Sequence, residues 1–147
     1  MVDDMDDPLL STLVRRLHLL FRQRIHADLM AAGHERITPA HMYVFQLPGP
    51  DGARPTELAR RTNTTKQAMN HLLIGLERDG YLTREASPDD GRGTVIRITE
   101  RGRDVEQIMQ ASSRRLEAEW TAVLGTATVR KLKQVLVEVD AVLDAPP

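Results

Sequence analysis

The sequence predicts a mainly α-helical protein that carries one small antiparallel β-hairpin. Three observations support that fold class. First, 41% of the 147 residues are hydrophobic but only 3% are aromatic. A core of Leu, Val, Ile, Ala and Met suits packed helices better than a β-sandwich. Second, apolar residues recur at spacings of three and four over most of the chain. Third, the period changes once, where Tyr81–Glu85 and Thr94–Ile98 flank a loop rich in Pro, Gly and Asp.

Composition excludes several function classes. The length suggests one domain. There is no cysteine, so disulfides, thiolate metal sites and cysteine redox switching are ruled out. No apolar run reaches the roughly 18 residues of a membrane span. The start, Met1–Pro8, is acidic, the opposite of a signal-peptide n-region, and residues 1–8 read as a solvated tail. The lack of cysteine fits a cytoplasmic protein. Net charge is −1, which by itself points to no nucleic-acid partner. The charge is unevenly spread: residues 54–103 hold ten Lys/Arg against seven Asp/Glu, and the remainder ten against fourteen.

The elements follow in order. Leu9, Leu10, Leu13, Val14, Leu17, Leu20, Phe21, Ile25 and Leu29 form a broad helical stripe. Pro8 fits its first turn and Gly33 its end. Thr38 is expected to cap a second helix with Pro39 at its first position, and Met42, Val44, Phe45 and Leu47 are its apolar residues. The loop Pro48-Gly49-Pro50-Asp51-Gly52 follows. A short third helix runs from about Pro55 to Arg61, with Leu58 and Ala59 inward, and Thr62-Asn63 turns the chain. Thr64 or Thr65 caps the fourth helix, with Thr64 to Gln67 at capping-box spacing. Asp79-Gly80 closes it. Thr94–Ile98 is β-branched, the mark of a strand. Thr99 caps a long helix with apolar positions Val105, Ile108, Met109, Leu116, Trp120, Val123 and Leu124. Gly125 breaks it, and Leu132, Val135, Leu136, Val139, Val142 and Leu143 mark a last helix.

The fourth helix has two faces. Met69, Leu72, Leu73 and Leu76 form a seating face. Lys66, Gln67, Asn70 and His71 lie off it, near the end that enters the major groove in helix-turn-helix proteins. Gln and Asn can bond adenine bidentately, and Lys can reach guanine or phosphate. The hydroxyls of Thr64 and Thr65, with the free N–H groups of the helix start, suit a phosphate. An amphipathic helix alone is a common object. The hairpin makes the reading specific: its tip holds Asp89, Asp90, Gly91, Arg92 and Gly93. Arg92 on such a narrow loop can enter a minor groove, with Asp90 placed to hold it.

Helix, turn, helix and wing in this order resemble the MarR family of regulators. The likeness rests on Glu57-Leu58-Ala59-Arg60-Arg61, Leu76–Leu82, Arg84-Glu85, Ser87–Arg92 and Val95–Gly102. The Asp90-x-Arg92 wing and Thr99-x-x-Gly102 are its most specific motifs. Gly91 departs from the pattern, since many members carry a second Arg there. The resemblance implies a winged helix-turn-helix lobe at 38–99, with dimerisation helices at 9–37 and 100–144. It implies a homodimer that reads a pseudo-palindromic operator in double-stranded DNA, with two reading helices facing major grooves roughly 34 Å apart. Expected DNA-binding residues are Thr64, Thr65, Lys66, Gln67, Asn70, His71, Arg84, Asp90 and Arg92. It further implies a repressor released by a small molecule such as an aromatic acid. Candidate ligand residues are Arg15, Arg16, Arg22, His41, Tyr43 and Phe45, with Trp120 more distant.

No metal or cofactor is expected. The five histidines, His18, His26, His34, His41 and His71, form no paired metal motif. No nucleophile elbow, phosphate loop or dinucleotide fingerprint occurs, so an enzyme is not expected. A winged helix that binds a protein partner instead of DNA is the other reading, and it would place an apolar patch where Lys66, Gln67 and Asn70 stand.

Overall fold

The computed structural model describes residues 7–46, 49, 52–87 and 93–143. Its elements are α1 (Leu10–Ala31), α2 (Pro39–Phe45), α3 (Pro55–Arg61), α4 (Lys66–Arg78), β1 (Leu82–Ala86), β2 (Thr94–Ile98), α5 (Glu100–Leu124) and α6 (Thr126–Leu143). The chain divides into two compact units, 1–110 and 111–147.

In the first unit, α1, α3 and α4 end in the same way. Gly33, Asn63 and Gly80 each adopt positive φ just past a helix. The next residue's N–H reaches back to a carbonyl of the last turn: His34 to Leu29, Thr64 to Ala59 and Tyr81 to Leu76, each at 2.9 Å. These Schellman closures satisfy carbonyls that a helix end otherwise leaves open. The helix starts differ. α2 opens with a reciprocal box in which Thr38 Oγ1 accepts from the His41 N–H and His41 Nδ1 accepts from the Thr38 N–H at 3.1 Å. An imidazole thus fills the place usually held by Glu or Gln.

Several boundaries differ from expectation. Pro8 precedes the N-cap of α1 and does not enter its first turn. Leu9 is extended, and its carbonyl is the first to accept, from Thr12 and Leu13. The Thr64–Gln67 box does not form. Thr65 is the cap of α4, accepting from the Ala68 N–H at 3.1 Å, so the helix begins at Lys66. β1 begins at Leu82 because the Tyr81 N–H closes α4. Leu47 and most of the 48–51 loop lie outside the described residues, as do residues 1–6 of the acidic tail.

The core of this unit gathers Ile25 and Leu29 of α1, Ile37, Met42, Val44 and Phe45, Leu58 and Ala59 of α3, and Met69, Leu73 and Leu76 of α4. Tyr81, Leu82, Ile96, Val105 and Met109 complete it. Each such aliphatic side chain stabilises the fold by about 1.5–3 kcal/mol relative to exposure. On α4 the seating stripe is Met69, Leu73 and Leu76, while Leu72 sits at its edge and is only half-buried. β1 and β2 pair antiparallel, with Leu82 opposite Ile98 and Arg84 opposite Ile96. Ala53 bridges to Ile96 with two backbone hydrogen bonds, which ties the segment before α3 to the base of the wing.

In the second unit, Gly125 at φ +85° separates the end of α5 from α6. Leu116 and Val129 are buried. Lys133 donates to Glu117, and Thr121 Oγ1 bonds the Glu117 carbonyl at 2.8 Å. Val135, Leu136, Val139 and Val142 remain exposed along α6. In the first unit, the front half of α1 likewise exposes Leu10, Leu13 and Val14. None of the described helices is long and apolar enough to cross a membrane.

Candidate nucleic-acid interface

The turn between α3 and α4 is held by three threonines. Thr62 Oγ1 donates to the Leu58 carbonyl at 2.8 Å and stands 3.0 Å from Thr64 Oγ1, which itself donates to the Thr62 carbonyl at 3.2 Å. Asn63 takes the left-handed conformation between them, where Asn is among the few tolerant residues. Both threonine hydroxyls named as phosphate ligands are thereby engaged, Thr64 in the turn and Thr65 in the cap. The Lys66 and Gln67 N–H groups, at the helix start, have no intrahelical acceptor.

Lys66, Gln67, Asn70 and His71 are all exposed. They form two adjacent i, i+4 rows, Lys66–Asn70 and Gln67–His71, off the buried stripe. On α3, Glu57 pairs with both Arg60 at 2.9 Å and Arg61 at 2.6 Å. Hydrogen bonds from Arg60 and then Arg61 hold its carboxyl down at about 2.

Arg84 leaves β1 and lies against α4. Its Nη1 donates to Asn70 Oδ1 at 3.0 Å, and its Nε stands 3.1 Å from Glu77 Oε2. At the foot of the wing, the Ser87 N–H donates to the Gly93 carbonyl at 2.8 Å, and Arg54 Nη2 donates to Ser87 Oγ at 3.3 Å. Arg97 pairs with Glu85 across the strands. Asp90 and Arg92, the expected wing-tip residues, lie outside the described residues.

Behind the wing, Tyr81 is a buried hub that sequence reasoning did not single out. Its ring meets Phe45 edge-on at 6.1 Å and carries the Arg101 guanidinium 4.6 Å from its centre. Arg101 donates to the Tyr81 hydroxyl at 3.3 Å, and His34 Nδ1 shares a hydrogen bond with the same hydroxyl at 3.0 Å. Burial, with Arg101 adding to it, holds the His34 imidazole below its ordinary value against the opposing pull of Asp104. Thr99 Oγ1 donates to the Gly80 carbonyl at 2.7 Å and caps α5 through the Gly102 N–H. A side chain at Gly102 would collide with the Tyr81 carbonyl and Ile98.

A cleft of about 600 Å³ opens between α2 and the start of α4. Tyr43, Met69 and Leu72 give it apolar walls, and Gln67, His71, Thr64 and Thr65 give it polar ones. Of the ligand candidates named from the sequence, Tyr43 lines this cleft. Its hydroxyl stands 3.2 Å from His18 Nε2, a partner the sequence offered only as an isolated histidine. Phe45 is in the core, and the Nδ1 atom of His41 is spent on the α2 box. Burial chiefly lowers the His41 proton affinity. Arg15 and Arg16 are exposed on α1, while Arg22 and, on α5, Trp120 are half-buried. Among the described residues, no three His, Asp or Glu side chains converge as a metal site.

A two-helix unit closed by a tight turn and followed by a β-hairpin is a winged helix-turn-helix. The MarR family profile matches residues 37–93. The HTH-type transcriptional repressor Rv2887 of Mycobacterium tuberculosis is 32% identical over 131 residues, which is 89% of this chain and 93% of that protein. The HTH-type transcriptional repressor YetL of Bacillus subtilis is 45% identical over 49 residues, 33% of this chain and 29% of its own. The crystal structure of the MarR family protein Rv2887 with salicylic acid superposes with a TM-score of 0.67 at 31% identity, over 91% of this chain and 98% of that one. Its complex with DNA gives 0.68 at 26% identity, over 90% and 98%. The chain belongs to the MarR family of transcription regulators.

Proposed function

We propose that this protein is a homodimeric, sequence-specific DNA-binding repressor whose release is triggered by a small aromatic acid. The observation that carries the reading is the exposed polar face of α4, with Lys66, Gln67, Asn70 and His71 beside a β-wing. It has the side-chain chemistry for base edges in a major groove, and the open N–H groups at the start of α4 suit a flanking phosphate. Arg92, and Asp90 as its holder, are assigned to the minor groove. The related MarR family protein solved with DNA supports the DNA-binding role.

The lobe 38–99 does the reading, and 9–37 and 100–144 hold the dimer. Support for a dimer comes from α1 and α6, each of which exposes a row of apolar side chains that a second copy would cover. The cleft beside α4 supports the ligand response. It combines apolar walls with a few polar groups, the usual make-up of a small-molecule site. Gln67 and His71 line the cleft and also belong to the reading face. An occupant that engaged them would withdraw them from DNA. The related protein solved with salicylic acid makes an aromatic carboxylate the first ligand to try, with Tyr43 and His18 as its partners and Arg15 or Arg22 as alternative carboxylate anchors. The protein is read as a cytoplasmic regulator without catalytic activity.

The test is affinity for a selected operator. Asn70→Ala and Arg92→Ala each weaken binding while the dimer stays folded. Unchanged affinity in both variants contradicts the docking.

A further inference from the structure

Arg84 was expected to contact DNA directly, but its guanidinium is committed within the protein. Its Nη1 donates to Asn70 Oδ1 at 3.0 Å, and its Nε stands 3.1 Å from Glu77 Oε2. The side chain is 25% exposed. Nε and Nη2 are closed off from solvent and have no aligned hydrogen-bond acceptor, so the Glu77 contact is ionic in kind. Asn70 and Glu77 lie two turns apart on α4. Helical side chains lean toward the N-terminus, so Glu77 leans back toward Asn70, and the guanidinium bridges the two.

This bridge settles a question that an asparagine otherwise leaves open. A free Asn amide presents its oxygen or its NH2 group to a base edge with little preference between them. A guanidinium has five N–H donors and no acceptor. Only the oxygen of Asn70 can face it, because an NH2 group there would meet another donor. The Asn70 NH2 group is therefore turned away from Arg84, and one lone pair of the oxygen stays available. Asn70 is exposed and belongs to the Lys66–Asn70 row of α4.

We infer that Arg84 is a positioning residue that fixes the amide orientation of Asn70 and so determines base selectivity at one base pair of each half-site, with Glu77 as its anchor. This rests on the DNA-reading function proposed above. It assigns Arg84 a role in selectivity and not in bulk affinity. Base-edge readers change discrimination between bases, whereas phosphate ligands change affinity for all sequences alike.

The experiment measures equilibrium binding to the selected operator and to the three substitutions at each base pair of a half-site. The proteins are wild type, N70A, R84M, E77Q and the double variant N70A/R84M. N70A identifies the base pair that Asn70 reads. R84M is expected to lower discrimination at that same pair by about tenfold or more, the scale of one specific base contact. The double variant is expected to lose no more discrimination there than N70A alone. E77Q removes a negative charge near DNA, so overall affinity holds or rises while discrimination at that pair falls. In the free protein, nitrogen-15 NMR should report a restrained Asn70 side-chain amide that becomes averaged in R84M. The inference is overturned if R84M weakens all sequences equally with discrimination intact, or if the N70A and R84M effects add. It is also overturned if E77Q raises affinity without loss of discrimination. Failure of the parent reading looks different: wild type then selects no sequence at all, or N70A leaves every preference in place.

Discussion

Gly102→Ala sets two physical effects against each other. Gly102 lies in the first turn of the 25-residue helix α5. Helix propensity alone favours Ala over Gly by about 1 kcal/mol. Sterics oppose it, because a Cβ at Gly102 falls well inside contact distance of the Tyr81 carbonyl oxygen and the Ile98 methyl. The obstacle is backbone, and it is pinned. The Thr99 N–H donates to the Tyr81 carbonyl at 3.1 Å, and Thr99 Oγ1 donates to the Gly80 carbonyl at 2.7 Å. Overpacking of this kind costs about 1–3 kcal/mol. Each hydrogen bond lost as α5 is pushed off adds about 1 kcal/mol. Net of propensity, the variant is expected to be about 2–4 kcal/mol less stable. For a chain of this size that lowers the melting temperature by roughly 6–12 °C. The assay is thermal and urea unfolding by far-UV circular dichroism at fixed protein concentration, since the proposed dimer would make the midpoint concentration-dependent. A variant as stable as wild type, or more so, would mean that propensity wins and that the docking of α5 on the wing base is not tight.

The other expectations concern capping, acidity and assembly. Thr65→Ala should cost about 1 kcal/mol in urea unfolding, and more than Thr64→Ala; the reverse order would reassign the cap of α4. His34 and His41 both bind protons less readily folded than unfolded. Their contribution to stability is therefore complete above the unfolded value of about 6.5 and is lost as pH falls below it. The urea midpoint should drop on acidification through that range, and less so in a His34→Gln, His41→Gln variant; equal pH dependence in both proteins would refute the assignment. Val139→Asp should convert the dimer to monomer in sedimentation velocity, and an unaltered dimer would remove α6 from the proposed interface.

Much of the fold is legible because local chemistry decides it. Pro39 after Thr38, Pro55, the β-branched run Thr94–Ile98 and the helix break at Gly125 each do what their residue types favour. The less legible features depend on competition or distance. Thr64 and Thr65 are equivalent as caps until Thr62 draws Thr64 into the turn. His41 fills a role that a search for Glu or Gln passes over. Leu72 shares the spacing of its stripe but sits at its edge, which puts it in a cleft. Tyr81 reads as a strand residue, yet it joins Phe45, His34 and Arg101, residues brought together only by the tertiary fold. The exposed face of α4 was readable from periodicity. The Arg84–Asn70 bridge was not, because it joins a strand to a helix across 14 positions in sequence.

The most direct test of a dimeric DNA reader is selection of genomic fragments by the purified protein, followed by titration of the selected site at several salt concentrations. The expected result is a near-palindromic site with half-sites about one helical turn apart. Its affinity should fall steeply as salt rises, because phosphate contacts release counterions. Addition of an aromatic acid should release the protein. A protein that enriches no fragment, or binds all fragments alike at every salt concentration, would contradict the account.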